Sequence, residues 1–286
     1  MGRIAYVNGR FVPHAGAAVH IEDRGYQLAD GVYEVWAVFG GRLADCDGHF
    51  ARLERSLAEL RIPLPMGRRA MEVVLRETLR RNCVRDGLLY LQVTRGVAPR
   101  DHAFPTRPVS ASVVVTAKSV DLAGDDRART GVKVITVAEN RWGRCDIKTI
   151  GLLPNVLAKQ AAREAGASEA WFVDEMGLIT EGASSNAWIV DSGGVLRTRD
   201  TQANILRGIT RQSLLDLAKS LDLRVAEGPF SVEDAKMARE AFISGAGSVV
   251  LPVTRIDEAI VGDGQPGPIA KRLRGLYIES ARRNAA

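Results

Sequence analysis

The sequence has few of the residues that build metal sites or disulfide frameworks. Only 3 cysteines occur among the 286 residues, Cys46, Cys83 and Cys145, and they form no C-x-x-C pair. The 4 histidines do not show H-E-x-x-H spacing. This pattern argues against a metal site and is typical of a reducing compartment, so we expect a cytoplasmic protein.

Long apolar runs are also lacking. No run approaches the roughly 20 residues that a membrane span requires, and the longest, such as 113–115, are short enough to be buried strands. The first residues contain no apolar signal region, and Tyr6 stands where N-myristoylation requires Ser or Thr. We therefore expect neither a membrane span nor a lipid anchor.

The common nucleotide-binding and hydrolase motifs are absent. The run 245–250 begins like a dinucleotide fingerprint, but Val250 stands where the third glycine belongs. Neither G-x-x-x-x-G-K-[ST] nor G-x-S-x-G occurs. The excess of 39 Lys+Arg over 34 Asp+Glu is scattered, so we expect no nucleic-acid partner, and it suits an anionic small molecule.

The composition is that of a globular chain, 46% hydrophobic and 26% charged, without internal repeats. The polar, Gly-containing segment 121–131 is the best candidate for a linker, so we expect domains at 1–120 and 132–286. Because strands and helices mix in both halves without strict alternation, we expect two domains of α/β or α+β type.

Local patterns predict the elements. Asn8-Gly9 supplies the positive φ angles of a two-residue hairpin turn, and apolar residues at a spacing of three and four predict helices. The predicted strands are 4–7, 10–12, a pair around Gly40-Gly41, 87–95, 109–118, 132–138, 169–173, 186–190, 195–199, 223–226, 241–244 and 249–253, and the predicted helices are 49–60, 68–81, 154–165, 210–221, 231–238 and 268–281.

Two residues are candidates for catalysis. Lys148 has apolar or small neighbours, and in a strand it would share a face with Asp146. A lysine amine in partly apolar surroundings loses its proton readily and can form a Schiff base, although a solvent-exposed edge lysine is the alternative. Glu181 ends a short predicted strand before the turn 182–185, where it would face a cavity or merely cap the turn.

Two segments could hold a phosphate. Gly208, Ile209 and Thr210 lie where a predicted helix begins, and free N–H groups at a helix N-terminus bind anions. The small side chains of 244–248 would let backbone N–H groups approach an anion. A plain helix cap and a tight turn are the alternatives. Arg52 lies off the apolar stripe of its helix, as a solvated surface arginine does.

The segment 94–105 contains a glycine and two prolines, so we expect a loop. It carries Arg95, Arg100 and His102 close together. Arginine binds carboxylates through two parallel hydrogen bonds, which makes this loop a candidate substrate clamp. The alternative is a basic surface loop.

Together these features resemble one family. The likeness lies in EDRGYQ at 22–27, DGVYE at 30–34, QVTRG at 92–96, RCDIK at 144–148, LAKQ at 157–160, TEG at 180–182 and GITR at 208–211. Over nearly its whole length the chain resembles the D-amino-acid aminotransferases of the fold-type IV, pyridoxal-phosphate-dependent class. That class also contains branched-chain aminotransferases and aminodeoxychorismate lyase.

The resemblance implies a two-domain fold-type IV enzyme. The smaller N-terminal domain would be α/β, the larger C-terminal domain would contain a barrel-like sheet, and the cofactor would lie at the domain interface. The implied cofactor is pyridoxal 5'-phosphate, and the implied assembly is a homodimer whose active site uses both chains.

The resemblance also implies roles in cofactor binding. Lys148 would form a Schiff base with the cofactor, and Glu181 would hydrogen-bond the pyridine nitrogen and keep it protonated. Leu206 would pack against the ring, and the other members would hold the phosphate. The implied cofactor-binding set is Arg52, Lys148, Glu181, Leu206, Ile209, Thr210, Gly245 and Ala246.

Gly245 and Ala246 depart from the family pattern, in which this loop commonly carries Ser and Thr hydroxyls. Backbone N–H groups would have to bind the phosphate there. A hydrogen bond to a charged group is worth about 1.5–3 kcal/mol. We therefore expect weaker cofactor retention than in relatives.

Tyr33, Arg100 and His102 would bind the substrate α-carboxylate, with Arg100 and His102 reaching in from the partner subunit and Tyr90 nearby. Branched-chain L-aminotransferases typically lack the Arg-x-His pair. The resemblance thus implies ping-pong transamination between a D-amino acid and a 2-oxo acid, such as D-alanine and 2-oxoglutarate giving pyruvate and D-glutamate. The alternatives are a branched-chain L-aminotransferase, an aminodeoxychorismate lyase or a non-catalytic pyridoxal-phosphate carrier.

Overall fold

A computed structural model describes residues 2–202 and 204–284 and divides into two compact units. The first contains the chain up to Asp121 together with Ile147–Gly151, and the second contains Leu122–Asp146 and Leu152–Arg283. Two features differ from the division expected from sequence. The second unit begins at Leu122, inside the proposed linker, and the segment around Lys148 is part of the first unit.

The first unit is a six-stranded antiparallel sheet with two long helices. Its strands are β1 (Ile4–Val7), β2 (Arg10–Pro13), β3 (Gly31–Phe39), β4 (Arg42–Leu43), β5 (Gly87–Thr94) and β6 (Ser112–Ser119), and its helices are α1 (Arg24–Leu28), α2 (Cys46–Glu59) and α3 (Arg68–Arg81). The strand order is β2-β1-β6-β5-β3-β4.

The core of the first unit lies between this sheet and helices α2 and α3. In β5, Leu89, Leu91 and Val93 are all buried, because alternate residues of a strand face the same side of a sheet. Leu53 and Leu75 pack against them from the two helices. Each such side chain contributes about 1.5–3 kcal/mol on full burial, which fixes the helices on the sheet.

The second unit is a nine-stranded mixed sheet with five helices among the described residues. Its elements are α4 (Arg127–Thr130), β7 (Val132–Ala138), α5 (Leu153–Glu164), β8 (Glu169–Val173), β9 (Ile179–Gly182), β10 (Asn186–Val190), β11 (Leu196–Thr198), α6 (Ile209–Ser220), β12 (Val225–Glu227), α7 (Val232–Lys236), β13 (Glu240–Gly245), β14 (Val249–Ile256), β15 (Ala259–Ile260) and α8 (Pro268–Asn284). The order is β12-β11-β10-β13-β14-β7-β8-β9, with β15 paired to β14.

The sheet of the second unit curls into a half-barrel, as the resemblance implied. Four strands lie between β9 and β10 in the sheet order. In a flat sheet this would separate them by about 24 Å, since neighbouring strands lie about 4.8 Å apart. The chain from Gly182 to Asn186 spans at most about 14 Å. Only a curled sheet brings the two strands close enough for this connection.

Most of the predicted elements are confirmed. The helix α3 and the strands β7, β8 and β10 have the predicted bounds, and the hairpin of β1 and β2 forms. A capping box begins α7, where the Asp234 N–H donates to Ser231 Oγ at 3.0 Å and the Ser231 N–H donates to Asp234 Oδ2 at 2.8 Å. The largest boundary differences are three residues. The helix α2 begins at Cys46 rather than at 49, β6 begins at Ser112 rather than at 109, β14 ends at Ile256 rather than at 253, and α8 ends at Asn284 rather than at 281.

Glu240 closes the N-terminus of α8. It is buried, and Oε2 accepts the backbone N–H groups of Ile269 at 3.1 Å and Ala270 at 3.0 Å. We expect Glu240→Ala to lower the free energy of unfolding by about 1–3 kcal/mol, because two N–H groups lose their acceptor. Urea unfolding measures this. Glu279→Ala, at an exposed position of the same helix, serves as the control and should change stability by less than about 0.5 kcal/mol.

Within the described residues, no helix has both the length and the apolar character that crossing a membrane requires.

Candidate active site

The Lys148 segment is irregular and does not form the strand considered from sequence. It lies along the start of β3, where Tyr33 N–H donates to Lys148 O at 3.0 Å and Ile150 N–H donates to Gly31 O at 3.1 Å. The neighbouring Ile147 is buried in the core of the first unit. The backbone of Lys148 is therefore fixed along the start of β3.

The amine of Lys148 lies against the predicted substrate residue Tyr33, which stacks on Tyr90. Its Nζ is 4.2 Å from the centroid of the Tyr33 ring, and the two tyrosine rings stack at 5.7 Å. Tyr90 Oη donates to Gln92 Oε1 at 2.7 Å. Burial, with a smaller contribution from Tyr33, raises the pKa of Tyr90 to about 12. Its hydroxyl therefore stays protonated and able to donate.

Arg52 is not the solvated surface arginine that its helix pattern favours. It is buried, and it forms two hydrogen bonds with the fully buried Glu34: Nε to Oε1 and Nη2 to Oε2, both at 2.8 Å. His49 Nδ1 lies 2.7 Å from Glu34 Oε2. Burial acts to raise the pKa of Glu34, but the charge of Arg52 and the hydrogen bonds of Arg52 and His49 together outweigh burial and lower the pKa to about 2. Glu34 is thus an anion that orients Arg52.

Arg100 and His102 are exposed on a loop, as predicted for 94–105. The first unit thus brings Lys148 together with the stacked pair of Tyr33 and Tyr90. Arg100 and His102 lie on the solvent-exposed loop instead.

Glu181 is buried in the second unit, at the end region of β9, and three donors surround it. Arg141 Nη1 lies 2.5 Å from Oε1, the Leu206 N–H donates to Oε1 at 3.0 Å, and Asn186 Nδ2 donates to Oε2 at 3.1 Å. A carboxylate that accepts from a guanidinium and two neutral donors is stabilised as an anion. The hydrogen bond from the Leu206 N–H places the backbone of Leu206 directly beside Glu181.

Arg141 is fixed as a cation by a second carboxylate. It forms an ion pair with Glu139 at 2.6 Å. Burial alone would lower the pKa of Arg141, but the hydrogen bond with Glu139 and the charge of Glu181 raise it. Burial also opposes ionisation of Glu139, yet the Arg141 hydrogen bond and charge lower the pKa of Glu139. Arg141 therefore bridges the two carboxylates of Glu139 and Glu181.

Ile209 and Thr210 are the first two residues of α6 and do not precede it. The N-cap, Gly208, provides no side-chain hydrogen bond to the helix N-terminus. A Cβ at Gly208 would lie 1.9 Å from Asn186 Oδ1, so the close approach of these segments requires glycine. Asn186 therefore connects Glu181 to the start of α6.

Gly245 ends β13, and Ala246 lies in the turn that leads to β14. Asn186 pairs with Ser244 across β10 and β13, so Gly245 lies one residue and the start of the turn two residues beyond the strand position that faces Asn186. The second unit thus groups Glu181, Leu206, the α6 N-terminus and the 245–248 turn around Asn186. Free N–H groups at a helix N-terminus suit a phosphate, as do backbone groups in a turn of small residues.

Other candidates for chemistry are weak. Burial raises the pKa of Cys145 to about 12, so its thiol stays protonated and is a poor nucleophile. Within 2–202 and 204–284, no group of three His, Cys, Asp or Glu side chains could hold a metal ion.

Sequence reasoning missed four residues that shape the site. Glu34 is the last residue of the motif 30–34 and Asn186 is the first residue of the predicted strand 186–190, but neither pattern indicates a role for that residue itself. His49 and Arg141 have no local signal. Their importance comes from carboxylates at positions 34 and 181, far away in the sequence.

Comparisons with known proteins agree with this geometry. A model of the family "amino-transferase class IV" matches residues 31–256. The D-alanine aminotransferase of Staphylococcus haemolyticus is 40% identical over 279 residues, covering 96% of this chain and 98% of the relative. That of Bacillus licheniformis is 41% identical over 268 residues, covering 93% of each.

Solved structures show the same architecture. The branched-chain amino acid aminotransferase of Escherichia coli has a TM-score of 0.91 at 25% identity, covering 100% of this chain and 97% of that one. A second branched-chain enzyme, solved with pyridoxamine 5'-phosphate, has a TM-score of 0.87 at 28% identity and covers 99% and 96%. The match of the family model over most of the chain and the identity to full-length relatives lead to one conclusion: this chain belongs to the class IV aminotransferases.

Proposed function

We propose that this chain is a pyridoxal-phosphate-dependent transaminase that moves the amino group of a D-amino acid to a 2-oxo acid. The observation that carries the proposal is Glu181, a buried carboxylate that Arg141 holds as an anion. Such a group can keep a pyridine nitrogen protonated, which transamination requires. The 40% identity to D-alanine aminotransferases supports the choice of substrate.

The residues present fit this cofactor. Lys148 supplies an amine whose backbone is fixed, Glu181 supplies the anion, and the N-terminus of α6 has a cap without a side chain. The aldehyde, pyridine nitrogen and phosphate of pyridoxal phosphate require these three kinds of partner. We propose that Lys148, Glu181 and Leu206 hold its ring, while Arg52, Ile209, Thr210, Gly245 and Ala246 hold its phosphate.

When bound, the cofactor supplies an electron sink for the negative charge that develops at the substrate α-carbon. Lys148 is the proposed proton carrier: its amine would remove the α-proton of the substrate as a general base and deliver it to the cofactor carbon as a general acid. Glu181 would stabilise a proton at the ring nitrogen by its negative charge, and the ion pair with Arg141 would favour the charged form of Glu181.

Substrate recognition is proposed to rest on the α-carboxylate. Tyr33, Arg100 and His102 would bind it, with Tyr90 adjacent, and Arg100 and His102 would act on the active site of a second copy of the chain. We accordingly propose a homodimer. The three cysteines are free, which supports a cytoplasmic location.

An absorption spectrum of the purified protein, with and without single D- and L-amino acids, tests the proposal. We expect a visible band that borohydride abolishes, a change of that band with D-alanine but not L-leucine, and pyruvate release with 2-oxoglutarate. Turnover of L-leucine alone would favour a branched-chain enzyme, and pyruvate from aminodeoxychorismate would favour a lyase. Cofactor binding without any turnover would indicate a carrier.

A further inference from the structure

The loop that carries Arg100 and His102 is tied at its base to the chain before α1. The Arg24 N–H donates to Gly96 O at 2.9 Å, and the Ala98 N–H donates to Glu22 O at 3.3 Å. Beyond Ala98 the loop residues become exposed. Backbone pairing therefore fixes where the loop starts, but other contacts must position its far part.

A buried ion cluster lies beneath the loop. Asp30 Oδ2 accepts Arg24 Nε at 2.8 Å and Arg95 Nε at 2.7 Å, and Oδ1 accepts Arg95 Nη2 at 2.9 Å. The side chains of Arg24, Asp30 and Arg95 are 3%, 10% and 7% exposed. Arg95 also donates to the backbone oxygen of Leu60 at 2.7 Å. One carboxylate thus orients two guanidinium groups against the body of the first unit.

Both guanidinium groups reach from this cluster into the loop. Arg24 Nη1 donates to the carbonyl oxygen of Asp101 at 2.6 Å, and Asp101 is the residue between Arg100 and His102. The Arg95 guanidinium lies 3.7 Å from the centroid of the Phe104 ring. The ion cluster therefore holds the loop at two points, one inside the Arg-x-His pair and one just after it.

These contacts suit a role in recognition. A clamp that is already ordered loses less entropy when it binds its ligand, and a displacement of about 1 Å can cost about 100-fold in rate. Arg100 and His102 are exposed, so their direction depends on the backbone between them. Arg24 fixes that backbone at Asp101.

We propose that Arg24, Arg95 and Phe104, oriented by Asp30, are positioning residues that set Arg100 and His102 for binding the substrate α-carboxylate. The inference rests on the proposed function. It assigns part of the affinity for the substrate α-carboxylate to a cluster that does not itself touch the substrate.

The test compares Phe104→Ala and Arg24→Lys in the holoenzyme. Phe104 is exposed, so its removal should not threaten folding. Lysine keeps the charge at position 24 but cannot bind two acceptors as the guanidinium fork does. For both variants we expect the KM for D-alanine and the inhibition constant of propanoate, a carboxylate probe, to rise by about 10- to 100-fold. The kcat and the cofactor spectrum should change little.

Two further variants separate the possible outcomes. Arg107→Ala, at an exposed arginine two residues beyond the loop, should leave KM and propanoate binding unchanged. Arg100→Ala should raise both the KM for D-alanine and the inhibition constant of propanoate. If Arg100→Ala raises them but Phe104→Ala and Arg24→Lys do not, the positioning role is overturned and the proposed clamp stands. If Arg100→Ala has no effect, the clamp is wrong and the inference falls with it. A lower melting temperature with unchanged KM would show a merely structural role and also overturn the inference.

Discussion

Lys148→Ala is expected to reduce the turnover of D-alanine and 2-oxoglutarate by at least about 10⁴-fold. The variant removes both the amine that holds the cofactor aldehyde and the group proposed to move the α-proton, and general acid–base catalysis alone contributes about 10² to 10⁴. Initial-rate measurements of pyruvate formation, at saturating cofactor, give the size of the loss.

Lys118→Ala is the matched control, because Lys118 is an exposed lysine of β6 in the same unit. It should retain normal turnover. Borohydride trapping followed by peptide mapping should locate the cofactor on the peptide that contains Lys148 in the parent and Lys118→Ala proteins, and find no adduct in Lys148→Ala. An adduct on a different lysine, or a loss of less than about tenfold in turnover, would contradict the assigned role.

Glu34→Gln is expected to lower the free energy of unfolding by about 3–5 kcal/mol, because it leaves the buried guanidinium of Arg52 without its anion. Urea unfolding at pH 7 measures the loss. Glu77→Gln is the matched control. Hydrogen bonds from Arg80 and Arg81 also lower the pKa of Glu77 to about 2, but these three side chains lie on the surface of α3, so their ion pairs are screened and stability should hardly change.

The pH dependence gives a second measurement on Glu34. Its pKa falls from an ordinary 4.5 to about 2 in the folded protein. The stabilisation is therefore fully present above pH 4.5 and is lost as the pH falls through about 2. Between these limits the parent protein should lose stability more steeply than Glu34→Gln. Parallel slopes for the two proteins would show that Glu34 does not titrate as assigned.

Elements with a strong local pattern could be predicted from the sequence. The helix α3 and the strand β7 form at their predicted bounds because spacing and burial agree within each segment. The side-chain partners could not be predicted in this way. Glu181 meets Arg141 from 40 residues away, and only the fold brings them together.

Arg52 shows why a helix pattern can mislead. Its position lies off the apolar stripe of α2, which predicts solvent exposure. The facing strand β3 contributes Glu34, which has no exposed surface, so Arg52 is buried with it although other polar residues of α2, such as Glu54, are exposed. An ion pair inside a core has no periodic signature in either partner. Only the spatial pairing of α2 with β3 reveals it.

The division into domains could also be predicted only in part from the sequence. A polar linker at 121–131 is visible in the sequence, but the return of 147–151 to the first unit depends on backbone pairing with β3. Backbone hydrogen bonds of this kind do not depend on side-chain type. For this reason the sequence around Lys148 does not indicate to which of the two units the segment belongs.

The pairing of β7 with β14 has a consequence for synthesis of the chain. Val132 near the start of the second unit pairs with Val253 near its end, in a parallel register. Translation proceeds at about 5–20 residues per second, and pairings between distant segments form late. On the ribosome, β14 is synthesised several seconds after β7, so the edge of β7 that pairs with β14 stays unpaired during that time. Nascent chains of this protein therefore expose an unprotected strand edge, the kind of surface on which chaperones act.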